Sequence, residues 1–347
     1  MNKGVLFVCK DIGGGKMAIP LAEQFRNHGL NITTITEGLA AERFQRAGFY
    51  PYFQGTVDFH ATNFSINAKK MLEDINPAVV IATEGSPANM ERSFACVANR
   101  LKIPVVFLED FWGGYCRLNP ARPDLILVID EYAARLVTKK FSRTLTSVVG
   151  NHAVMKEGVN CPEAENFITN LRKKFDKIFL FIGQGEFTAS IIILLIQCLS
   201  QTPSNWCLIP KFHPKVAGTK ISDGRTLSDL WMNMLGPIRD KLVNTTLSLP
   251  EIAPHADIAL TGYSSASTTV AYNGKIVVAL QTPEVMKSLK SKTGLDAIPL
   301  VSLGCATAIT KPTSLSNISR PSDKSLKKLI PYNPEKAYDE ICKKFFN

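Results

Sequence analysis

The cysteines of this chain lack the paired spacing that zinc sites and disulfide frameworks use. There are eight in 347 residues, and none of them form a CxxC pair. Structural zinc sites and small disulfide scaffolds depend on clustered cysteines, so the spacing argues against both classes. Isolated cysteines within apolar runs behave as small hydrophobic residues. The pattern therefore indicates a reducing compartment.

Long hydrophobic segments are also missing. The longest apolar run, Ile191 to Ile196, is far shorter than the ~20 residues that a membrane-spanning helix needs. The chain begins with a strand-like run, Gly4 to Cys9, without a basic region and a long apolar stretch, so we expect no secretory signal. We expect a cytoplasmic protein and leave open a position at the inner face of the membrane.

Basic residues are in excess, but they form no stripe along the sequence. Lys and Arg number 40 against 30 Asp and Glu, a formal charge of +10. Such an excess fits nucleic acid, an anionic membrane surface or phosphate-bearing small substrates. Nucleic-acid binding calls for a clustered basic surface with interleaved aromatic residues, whereas only short clusters such as 172–174 and 287–292 occur. We expect small anionic ligands and no nucleic-acid partner.

Strand-like apolar runs alternate with helical patterns, and the series restarts after Gly150. In the first half, strands are predicted at 5–9, 31–35, 78–82, 104–108 and 125–129. Helices between them are predicted at 18–28, 88–101 and 131–140. In the second half, strands are predicted at 178–182, 207–210, 247–249, 258–260 and 276–280, and residues 281–330 read as irregular. This alternation predicts parallel sheets with helices on both faces.

The length and the restart together predict two domains. A chain of 347 residues exceeds the usual size of one hydrophobic core. We place an N-terminal Rossmann-like domain at 1–150 and a C-terminal Rossmann-like domain at 151–333. Residues 334–347 are predicted to form a terminal helix that packs back on the N-terminal domain. The predicted fold class is α/β, with two Rossmann-like doubly wound parallel-sheet domains facing a cleft.

Residues suited to phosphate binding end two strands of the second half. Lys211 and His213 close one strand in the sequence Lys-Phe-His-Pro, and Ser264 and Ser265 follow another. Ligands of parallel α/β sheets bind beyond the carboxyl ends of the strands, and helix starts bind anions. Serine also commonly caps helices, and a histidine at a strand end can cap a carbonyl group. We interpret these four residues as ligands of a nucleotide phosphate.

Acidic residues follow two strands of the first half. Glu84 comes after the strand at 78–82, and Glu109 and Asp110 come after the strand at 104–108. A partly desolvated carboxylate can have the raised pKa that a general base needs. Helix capping and turn formation are the structural alternatives. We predict that these three residues are catalytic.

A glycine run, Gly13, Gly14 and Gly15, follows the first strand. Its spacing matches neither a P-loop nor the dinucleotide fingerprint. We predict that this glycine turn lets the backbone approach a substrate or only makes a tight turn, with the helix starting near Ala18.

The chain resembles the two-Rossmann-domain glycosyltransferase fold, GT-B, which nucleotide-sugar epimerases share. Four segments carry the resemblance: 13–15, 82–114, 148–151 and 264–275. The first is similar to an acceptor-side glycine loop, and the second to the acidic positions of UDP-N-acetylglucosamine 2-epimerases. The third is similar to the segment that crosses between domains, and the fourth to the donor-phosphate loop and the Gly-Lys-Pro turn.

A narrower resemblance lies in Lys-x-His-Pro followed by Tyr-Ser-Ser. It is similar to CDP-glycerol glycerophosphotransferases and to capsule-type sialyl- and Kdo-transferases that use CMP donors. The resemblance implies that His213 and the serines grip the donor phosphate while a carboxylate acts as general base. We expect no cofactor and no metal, because helix N-termini and cationic side chains can stabilise a leaving phosphate.

The chain departs from these families in three places. Gly183 to Glu186 stands where the epimerases carry a His-Arg pair, and Gly183 and Gln184 are expected to line the donor pocket. Thr261-Gly262 stands where the glycerophosphotransferases usually carry an Asp. The helix after the phosphate loop opens with hydroxyl residues, including Thr268, where many GT-B enzymes hold the ribose with a Glu. Ribose recognition is therefore expected to rest on hydroxyl groups or to come from elsewhere in the chain.

These patterns favour a glycosyltransferase-like enzyme that moves a sugar or alditol phosphate to an acceptor hydroxyl. The expected donor is UDP-, CMP- or CDP-linked, and the expected acceptor is a glycan or a lipid-linked sugar, as in cell-surface polysaccharide biosynthesis. A nucleotide-sugar 2-epimerase or hydrolase on the same fold is one alternative. A non-catalytic nucleotide- or glycan-binding protein is another. Peripheral membrane contact and a homodimer are further open expectations.

Overall fold

The computed structural model describes residues 4–52, 64–85, 89–155, 161–185, 187–213 and 218–346. The chain divides into a first unit, Met1–His152 with Ile330–Asn347, and a second unit, Ala153–Leu329. Of the motifs and segments discussed above, residues 86–88, Glu186 and Pro214 lie outside the described residues.

Six parallel strands form the sheet of the first unit, in the order β2-β1-β3-β4-β5-β6. They are β1 (Val5–Cys9), β2 (Ile32–Thr36), β3 (Val79–Thr83), β4 (Val105–Leu108), β5 (Leu125–Val128) and β6 (Leu145–Val148). Strands β1, β3, β4 and β5 are buried along their whole length, as expected when helices cover both faces of a sheet. The winding direction reverses between β1 and β3. Open α/β sheets bind ligands at such a switch point.

Five helices follow the strands of this unit in the chain. They are α1 (Ile12–Asn27), α2 (Gly38–Arg46), α3 (Phe64–Ile75), α4 (Asn89–Arg100) and α5 (Glu131–Lys140). The C-terminal helix, Pro334–Phe345, begins after Asn333, whose side chain accepts a hydrogen bond from the Lys336 N–H at 2.9 Å. This helix packs on α1, where the rings of Phe25 and Tyr338 lie 4.9 Å apart.

The second unit repeats this architecture with five parallel strands in the order β11-β10-β9-β7-β8. Its strands are β7 (Lys177–Gly183), β8 (Trp206–Phe212), β9 (Ile258–Thr261), β10 (Ile276–Leu280) and β11 (Thr307–Ile309). Its helices are α6 (Pro162–Arg172), α7 (Thr188–Ser200), α8 (Leu227–Met234), α9 (Leu249–Ile252), α10 (Ser265–Tyr272), α11 (Pro283–Thr293), α12 (Pro299–Ser302) and α13 (Asp323–Leu326). Here the winding direction reverses between β7 and β9. The predicted doubly wound α/β class is confirmed for both sheets.

Two sequence-based assignments in the second unit are wrong. The stretch 281–330, read as irregular, contains α11, α12, β11 and α13. Its helix signals were present, because Thr282 caps α11 and Gly294 ends it with a φ of +74°. The strand expected at 247–249 is instead the approach to α9, which Ser248 and Glu251 open with a capping box. None of the helices within the described residues is long and apolar enough to cross a membrane.

Candidate functional site

The glycine run lies within a helix and not in a turn. Helix α1 begins at Ile12, so residues 13–15 form its first turn, and the expected start near Ala18 is wrong. None of the three glycines has a positive φ. Their conformation is one that any residue can adopt, so the backbone conformation does not require glycine at these positions.

The missing side chains of this run let the start of α1 touch the ends of two strands. A Cβ atom on Gly13 would lie 1.9 Å from Oδ2 of Asp110, and one on Gly14 would lie 2.4 Å from Oγ1 of Thr83. A Cβ on Gly15, by contrast, would meet no atom nearer than 3.8 Å. The first two glycines therefore bring the helix N-terminus against the ends of β4 and β3.

Two of the predicted catalytic residues, Glu84 and Asp110, form a buried carboxyl pair. They are 4% and 9% exposed, respectively. Their side chains hydrogen-bond to each other, which requires one shared proton. Arg117 lies beside the pair, with its Nη1 atom 2.8 Å from Oε1 of Glu84.

Burial controls the proton of this pair. Burial, and then the neighbouring Asp110 charge, raises the pKa of Glu84 well above its usual range. Burial also raises the pKa of Asp110, but the hydrogen bond from Glu84 opposes that rise. The pair therefore holds one proton between its two carboxyl groups, and Arg117 stabilises the negative charge that remains. Such a pair presents an acid and a base side by side.

The third predicted catalytic residue, Glu109, is enclosed behind the pair. It is fully buried, and its Oε1 accepts the N–H of Gly113 at 3.0 Å. Burial, followed by the charge of Asp130, raises the pKa of Glu109 well above its usual range. The chain thus brings all three predicted carboxyl groups to one edge of the sheet, but only Glu84 and Asp110 share a proton.

Sequence reasoning missed Asp130 and Arg117. Asp130 follows β5 as Glu84 follows β3, so its position after a strand was a usable signal. Its carboxylate caps α5 through the Ala133 N–H at 2.7 Å and accepts the indole N–H of Trp112 at 2.8 Å. Arg117 lies in a 3-10 helix far along the chain from Glu84, and no sequence pattern connects the two.

None of the described residues form a metal-binding set. No group of three or more His, Cys, Asp or Glu side chains within this part of the chain is placed to hold a metal ion.

In the second unit, the predicted residues of β8 have different surroundings. Lys211 donates from Nζ to the carbonyl of Thr245 at 2.7 Å, and its partial burial lowers the pKa of its ammonium group. His213 donates its backbone N–H to the carbonyl of Gly183 at 2.9 Å, and its side chain is exposed. The imidazole therefore stands beyond the sheet edge, while the lysine is held beside the strand.

The two predicted serines lie at the start of α10. Ser264 is the N-cap, with its hydroxyl accepting the Ala266 N–H at 3.3 Å, and Ser265 is the first helical residue. The capping role weighed for this serine is thus present in the structure. Thr268 is fully buried and its hydroxyl has no hydrogen-bond partner, so that hydroxyl does not reach the surface.

Gly183 and Gln184 connect the loops that follow three neighbouring strands. A Cβ on Gly183 would lie 2.7 Å from the ring of Phe212, so only glycine fits where β7 ends beside β8. The amide of Gln184 donates to the carbonyl of Tyr263, just before the N-cap of α10. The predicted donor-side residues are therefore gathered at one edge of the second sheet.

Comparison with known proteins identifies the architecture. No protein-family model matches the chain, and no curated protein matches its sequence. The UDP-bound structure of S. aureus MnaA has a TM-score of 0.66 and 14% identity, covering 98% of this chain and 96% of that one. A Methanocaldococcus jannaschii UDP-GlcNAc 2-epimerase, solved with UDP-GlcNAc and UDP, gives 0.62 and 14%, covering 99% and 100%.

A glycosyltransferase matches to a similar extent. CalG4, the calicheamicin glycosyltransferase, has a TM-score of 0.58 and 14% identity, covering 98% of this chain and 97% of that one. At such low identities these likenesses show the fold alone. The chain has the GT-B fold, with two Rossmann-like parallel-sheet domains, which these epimerase and glycosyltransferase structures share.

Proposed function

We propose that this protein is an enzyme that acts on a nucleotide-activated sugar, with Glu84 and Asp110 moving a proton during the reaction. The observation that carries the proposal is this buried pair, which shares one proton at the switch point of the first sheet. Burying two carboxyl groups together lowers the stability of the fold, so a functional reason for keeping them is expected. Strongly shifted pKa values also cluster at functional sites.

The second unit is proposed to bind the nucleotide. His213, Ser264 and Ser265 lie after neighbouring strands, and the first turn of α10 provides a dipole suited to phosphate. Gln184 is proposed to hold the loop before α10 in place. The matching MnaA and epimerase structures contain UDP or UDP-GlcNAc, which supports testing UDP as the first nucleotide, ahead of CMP and CDP.

The leading reaction is transfer to an acceptor hydroxyl of a glycan or a lipid-linked sugar. Asp110 would take the proton of that hydroxyl as the new bond to the sugar forms. The bond between the sugar and the nucleotide phosphate breaks, and the nucleotide leaves. Glu109 is a weaker candidate for this base, because its carboxyl group is enclosed and tied to Gly113.

The same pair also favours a second reaction. Epimerisation at a carbon next to a carbonyl or an anomeric centre needs one group to remove a proton and another to return one, and a carboxyl beside a carboxylate supplies both. Hydrolysis needs only that the base act on water. A nucleotide-binding protein without catalysis is the remaining candidate.

One assay separates these candidates. The purified protein is incubated with UDP-GlcNAc and with CMP- and CDP-linked donors, with and without glycan and lipid-linked acceptors, and the products are followed by NMR. A new sugar epimer indicates an epimerase, and release of nucleotide without acceptor indicates a hydrolase. Release that depends on an acceptor supports the transferase. Binding without turnover supports a binding protein. The absence of both binding and turnover would contradict the proposal.

A further inference from the structure

A further carboxyl group, Glu91, lies inside the first unit close to the proposed proton-transfer pair. It belongs to the first turn of α4 and is fully buried. Its Oε1 accepts the backbone N–H of Lys10 at 2.9 Å. Its Oε2 is also buried and has no hydrogen-bond partner. Neither sequence analysis nor the proposed reaction assigns a role to this residue.

The hydrogen bond from Lys10 fixes the chain just before α1. Lys10 lies between the end of β1 and Asp11, the N-cap of α1. The first turn of that helix is the one that Gly13 brings against Asp110. A displacement of Lys10 would therefore move the helix start against which the Asp110 carboxylate packs.

The other side of Glu91 abuts the turn that carries Glu84. A Cβ atom on Gly85 would lie 2.4 Å from Oε1 and 2.5 Å from Oε2 of Glu91, so the carboxyl group occupies the space that this glycine leaves. The carbonyl of Gly85 accepts a hydrogen bond from Arg117 at 3.3 Å, and the same guanidinium pairs with Glu84. Glu91 thus contacts both segments that carry or support the pair.

We infer that Glu91 is a positioning residue whose carboxyl group holds the start of α1 and the Glu84–Gly85 turn at the spacing that lets Glu84 and Asp110 share a proton. Its catalytic meaning rests on the proposed function. The positioning itself is a property of the folded protein and can be measured without a substrate.

The protonation state of Glu91 fits its place. Burial, opposed by its hydrogen bonds and reinforced by the charge of Asp11, raises the pKa of Glu91 to about 8. The titratable groups that face it are Lys10 and Asp11, ahead of α1, and Cys9 at the end of β1. At neutral pH the carboxyl group is mostly uncharged. It therefore fills the space beside Gly85 without a counter-ion.

Two substitutions separate shape from charge. Glu91→Gln keeps the size of the side chain and an oxygen that can accept the Lys10 N–H. Glu91→Asp is shorter by one methylene, which draws the carboxyl group away from Lys10 and Gly85. A positioning role predicts that the glutamine variant preserves the pair and the aspartate variant disturbs it.

The readout is an NMR titration of the side-chain carboxyl carbons, with the pair assigned through Glu84→Gln and Asp110→Asn. In Glu91→Gln, we expect loss of one titration with a midpoint of about 8 and no change in the midpoints of the pair. In Glu91→Asp, we expect those midpoints to move by about one pH unit, since the shared proton depends on the contact between the two groups. With an active donor, kcat of the aspartate variant should fall by about 10²-fold at unchanged KM.

The inference is overturned if Glu91→Asp leaves the titration of the pair as it is in the wild type, or if Glu91→Gln shifts it as much as the aspartate does. Should Glu91→Asp not fold, Gly85→Ala takes its place, because the added Cβ displaces the same carboxyl group. Lack of turnover with every donor would contradict the proposed function and leave the titration result valid. The two failures are thereby distinguished.

Discussion

The two sheets of this protein wind alike but present different chemistry where their strands end. In the first unit, carboxyl groups follow β3, β4 and β5, and burial raises the pKa of each. In the second unit, an amide, an imidazole and a capping hydroxyl follow β7, β8 and β9. The shared topology determines at which edge of each sheet a ligand can bind. The few residues after each strand decide whether that place suits proton transfer or anion binding.

The two edges differ in which buried polar atoms lack a hydrogen-bond partner: the hydroxyl groups of Thr188 and Thr268 in the second unit, and carboxyl oxygens in the first. In the second unit, Gln184 donates to Tyr263 and Ser264 accepts from Ala266. In the first unit, Glu91 and Glu109 each keep one buried oxygen without a hydrogen-bond partner. Unsatisfied buried carboxyl groups lower stability, which supports the proposal that the first edge is retained for function.

The largest effect should come from removing the proposed general base, Asp110. We expect Asp110→Asn to lower kcat for the donor by about 10²–10⁴-fold, the usual contribution of general acid–base catalysis, with nucleotide affinity unchanged. Steady-state kinetics together with calorimetric titration of UDP would measure both. Glu109→Gln is the matched control, since glutamine can still accept from Gly113, and its loss should be much smaller. Equal losses in the two variants would break the assignment of the base to Asp110.

A rise in pH should destabilise the first unit and leave the second unit nearly unchanged. Glu84, Glu91 and Glu109 have raised pKa values, so the unfolded chain releases their protons first as pH rises above about 4.5. Each such group still protonated in the native state costs about 1.4 kcal/mol of stability per pH unit. For Glu91 that loss ends near pH 8, its raised pKa of about 8.

The opposite sign holds for Asp257 of the second unit. Its pKa is lowered, because its hydrogen bonds, chiefly from Arg172, outweigh burial, so its contribution is lost only in acid. Urea unfolding at pH 7 and pH 9 would test the contrast. Tryptophan fluorescence can follow each unit separately. In Trp112→Phe the signal comes only from Trp206 and Trp231 of the second unit, and in a variant that lacks those two it comes only from Trp112 of the first unit. Equal pH dependence of the two signals would contradict this account of the first edge.

A smaller loss is expected when the close approach of α1 is blocked. Gly13→Ala would place a Cβ 1.9 Å from the Asp110 carboxylate, and forced displacement of packed groups typically costs about 1–3 kcal/mol. Gly15→Ala meets only ordinary contacts at 3.8 Å or more, and alanine favours a helix by up to about 1 kcal/mol. Urea midpoints at constant m-value measure the difference. Equal stability of the two variants would show that Gly13 is not needed for space.

The smallest effect concerns the N-cap at the proposed anion-binding edge. Ser264→Ala should cost about 1 kcal/mol of stability through the lost N-cap of α10. Thr226→Ala removes the comparable cap of α8, where the threonine hydroxyl accepts the Asp229 N–H at 3.2 Å. Both variants should melt earlier, but only Ser264→Ala should weaken UDP binding. Equal UDP affinity of the two variants would contradict a role of the α10 N-terminus in binding the nucleotide.

The fold followed from the sequence because buried parallel strands and amphipathic helices leave strong local patterns. The run Val5 to Cys9 and the run Ile258 to Leu260 could each be read without knowledge of their neighbours. The acidic residues after β3 and β4 could be placed at one edge for the same reason, because parallel strands end together.

What the sequence could not reveal were contacts between distant segments. Nothing in the local pattern connects Arg117 to Glu84, or Glu91 to Lys10. The glycine run was misread because a turn and a closely packed helix start both favour glycine, and only the approach of Asp110 distinguishes them. Thr268 could be placed on α10 but not recognised as fully buried, since burial depends on how the helix is rotated.

The most direct test of the central claim is a thermal-shift panel with UDP, CMP, CDP, GDP and their sugar conjugates, using the wild type and Ser264→Ala. A ligand present at about 100 times its dissociation constant stabilises a fold by about 2.7 kcal/mol. The account predicts a shift of that size with a pyrimidine nucleotide, UDP first, and a smaller shift in the serine variant at the same concentration. No shift with any nucleotide would contradict the claim that the protein acts on a nucleotide-activated sugar.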